Sequence, residues 1–253
     1  MAVSIDTVYQ RVLSILNKEQ RGYVTPQEFN LFANQAQLDL FEQYFYDINQ
    51  FGRLPGNDTE YSDMLKLLDE KIALFETKAT LNYLFSSNGT FVLPADLYRL
   101  GTIIYANSTT KNILDPALGP ETPITTVEEV TVERINPNEF LYINSSPLTK
   151  PRNVRPIYVA DDRGLKVYGD QEITDNVSAT YIRQPAKVEW KYQMVLGEAL
   201  YDSTYSVDFE LHASEETELV IKILELASLA SKELAVNQIA TQEEVRNTQQ
   251  EKS

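Results

Sequence analysis

VTPQEFNLFANQAQLDLFEQYFYDINQ, residues 24–50, predicts one long helix with more apolar surface than a single small contact can absorb. Thr25 is a good N-cap, Pro26 suits the first helical position, and Glu28 stands where a capping box needs it. Val24 and Phe29 flank the box as a hydrophobic staple would. Phe29, Ala33, Ala36, Leu40, Tyr44 and Ile48 form one stripe at three- and four-residue spacing, and Leu31, Leu38, Phe41 and Phe45 form another beside it. A central core helix accounts for the pattern. So does a helix whose first stripe packs inside its own subunit while the second meets a neighbouring one.

On either side of it, Ile5–Leu16 reads as an amphipathic helix, with Val8, Tyr9 and Val12 on one face. Asn17–Gly22 is a polar break, and Gly52, Pro55 and Gly56 end the long helix. A third helix follows from Asp58 through Leu65, Leu68 and Ile72 to Phe75. A fourth begins near Ser214, has Glu215, Glu216 and Glu218 in its first turn, and carries Leu219, Ile223 and Leu226 as an apolar stripe. Short connections between such helices favour an antiparallel bundle.

Between Phe75 and Asp208 the period changes to that of strands. Hairpins are expected around Asn88-Gly89 and around Asp161-Asp162-Arg163-Gly164, with further strands at Thr126–Ile135 and Val177–Arg183. Residues 107–123, rich in Pro, Thr and Asn, read as an exposed loop, and Asn136-Pro137 as a short turn or helix carrying Phe140, Leu141 and Tyr142. Lys150, Arg152 and Arg155 make a basic loop in an acidic chain, suited either to solvent or to an acidic partner. The periodicity of Trp190–Asp208 is mixed and assigns no element. The fold class expected is α+β: an antiparallel helical bundle, residues 1–80 and 209–240, with an inserted small antiparallel β domain, residues 81–208, and a polar tail, residues 241–253.

The chain has 253 residues, 43% of them hydrophobic, and a net charge of -15. That charge argues against a sequence-independent grip on phosphate backbones, but an acidic wall suits a conduit through which DNA slides without sticking. There is no cysteine and one histidine, His212, so zinc sites of ordinary composition and thiolate chemistry are not expected, and neither is a cofactor. No Gly-x-Ser-x-Gly elbow and no phosphate-cradling glycine loop occurs. The 37 Asp and Glu residues leave a two-carboxylate hydrolase open, though no spacing selects a pair. The N-terminal MAVSIDTVYQRVLSIL lacks a basic leader before an apolar core, and no run approaches a membrane span, so a soluble protein used without secretion is expected.

Four segments carry a family resemblance: NKEQRGYVTPQEFNLFANQAQLDLFEQYF, FVLPADLYRL, the stretch from PLTKPRNVRPIYV to NVSATYIRQP, and DFELHASEETELVIKILELASLASKE. In them the chain resembles the ring, or head-to-tail adaptor, proteins of tailed bacteriophages, nearest to those of crAss-like and related marine phages. The resemblance implies a non-enzymatic virion protein, made in the host cytoplasm and sited in the neck or tail. It implies a homo-oligomeric ring, twelvefold to match the portal protein, touching the portal and other neck or tail rings. DNA would cross its lumen without specific binding, and no membrane is involved. Contacts are then expected from Phe29, Phe32, Leu38, Phe41 and Phe45, from Leu219, Ile223 and Leu226, and from Lys150, Arg152 and Arg155. A tail or fibre module recognising carbohydrate is the alternative, with Trp190 as the single tryptophan of a stacking platform.

Overall fold

Thr25 caps the long helix as its sequence dictates. In the computed structural model the Thr25 amide donates to Glu28 Oε2 at 2.9 Å, and the Glu28 amide donates to Thr25 Oγ1 at 3.3 Å. Val24 and Phe29 are both buried beside that box. The structure describes residues 3–18, 24–51, 58–85, 89–113, 122–195 and 198–231. The expected breaks within residues 19–23 and 52–57, the position of Asn88, the centre of the 107–123 loop and the polar tail lie outside the described residues.

The chain divides into two units: residues 1–75 with 185–253, and residues 76–184. The first contains α1 (Ile5–Lys18), α2 (Pro26–Phe51), α3 (Asp58–Ala73) and α5 (Glu216–Ser231). Helix α2 packs on α3 and α5, and α1 packs on α5. Ile5, Val8 and Val12 of α1, Phe29 and Phe41 of α2, and Leu219 and Ile223 of α5 are buried in this unit. Trp190–Asp208 belongs to it too, and contains a hairpin of β10 (Tyr192–Val195) and β11 (Glu198–Tyr201).

A ladder of side-chain amides on α2 ties that returning segment down. Asn30 Oδ1 accepts from the Trp190 amide at 2.8 Å, and Asn30 Nδ2 donates to the Trp190 carbonyl at 3.2 Å. Asn34 makes the same two bonds to Val188, at 3.0 and 2.8 Å, and Gln37 Nε2 donates to the Ala186 carbonyl at 2.8 Å. Residues 30, 34 and 37 share one helix face, and residues 186, 188 and 190 share one face of an extended chain. The helix thus serves as a neighbouring strand would, satisfying buried backbone groups that otherwise cost free energy.

The second unit is one sheet of nine strands, in the order β1-β9-β4-β5-β6-β7-β3-β2 with β8 on β7. Its strands are β1 (Glu76–Thr80), β2 (Asn82–Leu84), β3 (Thr90–Val92), β4 (Leu97–Ile113), β5 (Thr122–Arg134), β6 (Ile157–Asp161), β7 (Gly164–Tyr168), β8 (Glu172–Ile173) and β9 (Val177–Arg183). Strands β1 and β2 stand at opposite ends of that order, yet only Leu81 separates them, and its amide donates to the Val177 carbonyl at 2.9 Å. The sheet therefore curls back on itself into a nearly closed barrel. Phe91, Ile103, Leu165, Val167 and Val177 are buried in its core.

This corrects the expected fold class. The chain is not a helical bundle carrying a small antiparallel β domain: the sheet is large, and it is mixed because β5 and β6 run parallel through Glu133↔Ile157 and Arg134↔Tyr158. Residues 107–113 and 122–123, expected as loop, are instead the outer parts of β4 and β5. They pair in register through Ser108↔Val127, Thr109↔Thr126 and Thr110↔Thr125. Threonine is β-branched and fits a pleated strand, whereas a polar Thr-rich run lacks the alternation by which half-buried strands are recognised.

Candidate functional site

The helical unit holds a cavity of about 340 Å³ between α2, α3 and the start of α5. Leu40, Leu67 and Leu68 give it apolar walls, and Asp47, Glu70 and Lys71 bring charge to it. A 3-10 turn, Ala213–Glu215, leads into α5, and its cap is His212, whose Nδ1 accepts from the Ser214 amide at 3.3 Å. The single histidine is thus a capping residue, and Ser214 lies inside the turn it caps.

Glu215 is 2% exposed and forms an ion pair with Lys71 of α3. The Lys71 ammonium also stands over the Tyr44 ring, 5.3 Å from its centroid. Burial pushes the Glu215 carboxyl up, but hydrogen bonds with Glu218 and Lys71, the Lys71 charge and a bond from Ser214 outweigh it. The net effect holds Glu215 below the usual carboxylate range. A glycosidase acid needs the opposite, a carboxyl held neutral by a raised pKa. Glu215 is therefore built as one half of a tie between α3 and α5. Among the described residues no group of three or more His, Asp or Glu is arranged to hold a metal ion.

The sequence-predicted contact residues separate into three groups. Phe29, Phe41, Phe45, Leu219 and Ile223 are buried within their own unit. Phe32 and Leu226 are half-buried. Leu38, Lys150, Arg152 and Arg155 face solvent, the last paired with Glu133 at 3.1 Å. The two apolar stripes of α2 are thus divided differently from the expectation: Phe41 and Phe45 go inward, and Leu31, 71% exposed, stays outside with Leu38 and Tyr46.

Two surfaces of the sheet unit were not singled out by sequence reasoning. The first is a ribbon. β9 pairs β4 only as far as Tyr105↔Val177, and β6 pairs β5 only at Glu133 and Arg134. The Ala106 amide still donates to the Asn176 carbonyl at 2.9 Å, and from Asn107↔Glu128 to Ile113↔Thr122 the two strands are paired with each other alone among the described residues. Asn107 is buried, whereas Ser108 and Thr109 of β4 and residues 125–129 of β5 are exposed. The second is α4 (Pro137–Ser145), in which no residue is buried. Its run Phe140-Leu141-Tyr142-Ile143 is apolar all round the helix, a signal that one side had to face outward.

No known family model matches this chain, and no curated protein sequence matches it.

Proposed function

We propose that the chain is a structural subunit of a tailed-phage neck, several copies of which close into a ring beside the portal and surround the DNA exit path. The observation that carries this reading is the β4–β5 ribbon. An isolated two-stranded ribbon is marginal in water, and its unpaired edges are templates for another chain. This one spans roughly 25 Å at the usual antiparallel rise and is completed only when a neighbour covers it. The outward residues of α2 and α4 add further apolar surface for contacts between subunits.

The function of such a subunit lies in its interfaces, and it turns over no substrate. Its net charge of -15 suits the wall of a channel that must not hold DNA. The ring geometry, twelve copies beside the portal with other neck or tail rings below, comes from the family resemblance. The carbohydrate alternative is weaker because Trp190 is buried, stacked against Tyr192 and Tyr201, with its indole N–H donating to Asp6 at 3.0 Å. Quantitative mass spectrometry of purified particles tests the reading. A copy number equal to that of the portal protein is expected, and absence of the chain from particles would overturn it.

A further inference from the structure

Strands β5 and β6 are parallel neighbours, so residues 135–156 must cross over between them. A crossover helix normally lies on the sheet and buries an apolar side there. Helix α4 does not. Phe140 packs on Tyr168 with the rings tilted and their centroids 4.4 Å apart, which anchors the helix, but Leu141 and Tyr142 are 74% and 78% exposed.

The chain beyond α4 folds back and is held from beneath. Thr149 Oγ1 donates to the Ile143 carbonyl at 3.0 Å, and the Lys150 amide donates to the Ser146 carbonyl at 2.9 Å. The Asp170 amide donates to Asn153 Oδ1 at 3.1 Å. Leu148, 95% exposed, therefore stands on a braced loop beside Lys150 and Arg152, neither of which has an ion pair among the described residues. The result is a preorganised knob, apolar in the middle and basic at the edge, on a protein of net charge -15.

The same chain carries a cavity of opposite charge. The cavity of about 340 Å³ in the helical unit has leucine walls, including the exposed Leu67, and its charged lining residues are Asp47, Glu70, Glu215 and Glu218 against Lys71. Glu70 is exposed and makes no ion pair among the described residues.

We propose that the α4 knob of one copy docks into the acidic, leucine-walled cavity of a second copy, with Leu148 inserted and Arg152 facing Glu70. The contact is heterologous, joining different surfaces of the two copies, which is the kind that generates a ring when its rotation closes. The inference rests on the ring reading above and assigns it a contact. Charge complementarity between an acidic protein and its own basic loop selects a second copy as the occupant.

Native mass spectrometry of the full chain tests it. The wild-type protein assembles, and Arg152→Glu and Glu70→Arg each weaken assembly by about tenfold or more while leaving the thermal melt unchanged. Combining the two reversals in one chain restores assembly, and Leu148→Asp abolishes it. A monomeric wild-type chain, or assembly indifferent to the three single changes, overturns the proposed contact. So does a double variant that fails to recover. Particles that take up Arg152→Glu at full copy number overturn the contact and leave the ring reading standing, whereas wild-type chain missing from particles removes the ring reading itself. Uptake lost with Arg152→Glu but kept with Glu70→Arg would mean that the knob docks on a different protein, which also overturns the proposal.

Discussion

At the scale of single residues, Lys71 and Glu215 form a buried ion pair that ties α3 to the turn opening α5. Glu215 is almost wholly buried, and Lys71 neutralises it while lying against the Tyr44 ring. Replacing Lys71 with Met leaves a buried carboxylate without its cation, which costs about 3 kcal/mol near neutral pH. The pH dependence follows from the direction of the shift. A carboxyl held low in the folded state contributes stability above its unfolded pKa, and that contribution is lost as pH falls through the folded value. In Lys71→Met the burial effect is no longer opposed by the ammonium, so the carboxyl rises and protonates sooner. Urea titrations of the two proteins should therefore show a gap that is full at neutral pH and narrows on acidification through and below the usual carboxylate range. A gap that stayed constant across that range would mean that Glu215 is not the group responsible.

Elements show where local sequence was sufficient and where it was not. The start of α2 was legible because a capping box and a staple are local, and the β6–β7 hairpin was legible because its strands flank their own turn. The outer parts of β4 and β5 were not, since a polar threonine ladder is held by cross-strand partners and lacks the alternation that sets a period in the sequence. The amide ladder of α2 was hidden for a similar reason: Asn30, Asn34 and Gln37 look like solvated positions until residues 186–190 return to meet them. Periodicity also identified Phe41 and Leu38 as apolar without saying what covers each, which is why a contact role was expected of both. Two changes test the elements as built. Gly164 begins β7 at φ 147°, and a Cβ there would fall 2.2 Å from the Phe91 carbonyl oxygen. Gly164→Ala should destabilise the protein by about 2 kcal/mol or more, measured by denaturant with circular dichroism, because both the backbone angle and the β3–β7 approach exclude a side chain. Replacing residues 109–126 with Asn-Gly closes the ribbon at the Ser108↔Val127 pair. That shortening should move stability by less than about 1 kcal/mol, and on the ring reading proposed above it should also remove the chain from particles, since the ribbon contributes reach and little core.

For the whole molecule the governing fact is that each of the two units carries its own core: one built on Phe29, Phe41, Leu219 and Ile223, the other on Phe91, Ile103, Leu165 and Val177. Separate cores allow separate unfolding, and the chain contains a natural reporter for distinguishing them. Its single tryptophan, Trp190, is buried in the helical unit, so tryptophan emission excited at wavelengths that tyrosine does not absorb follows that unit alone, while far-ultraviolet circular dichroism follows helices and sheet together. The two signals should give transitions at different denaturant concentrations. Phe41→Ala sharpens the test, because this ring packs 4.9 Å from Phe75 and 5.2 Å from Phe45 with no exposure of its own. The loss of that packing costs about 3–5 kcal/mol, and the cost falls on the helical unit. The fluorescence transition should shift to lower denaturant by that amount, and the part of the dichroism signal that belongs to the sheet should stay where it was. Coincident transitions that moved together in the variant would show that the two cores melt as one, and that sheet and helices stabilise each other as well as themselves.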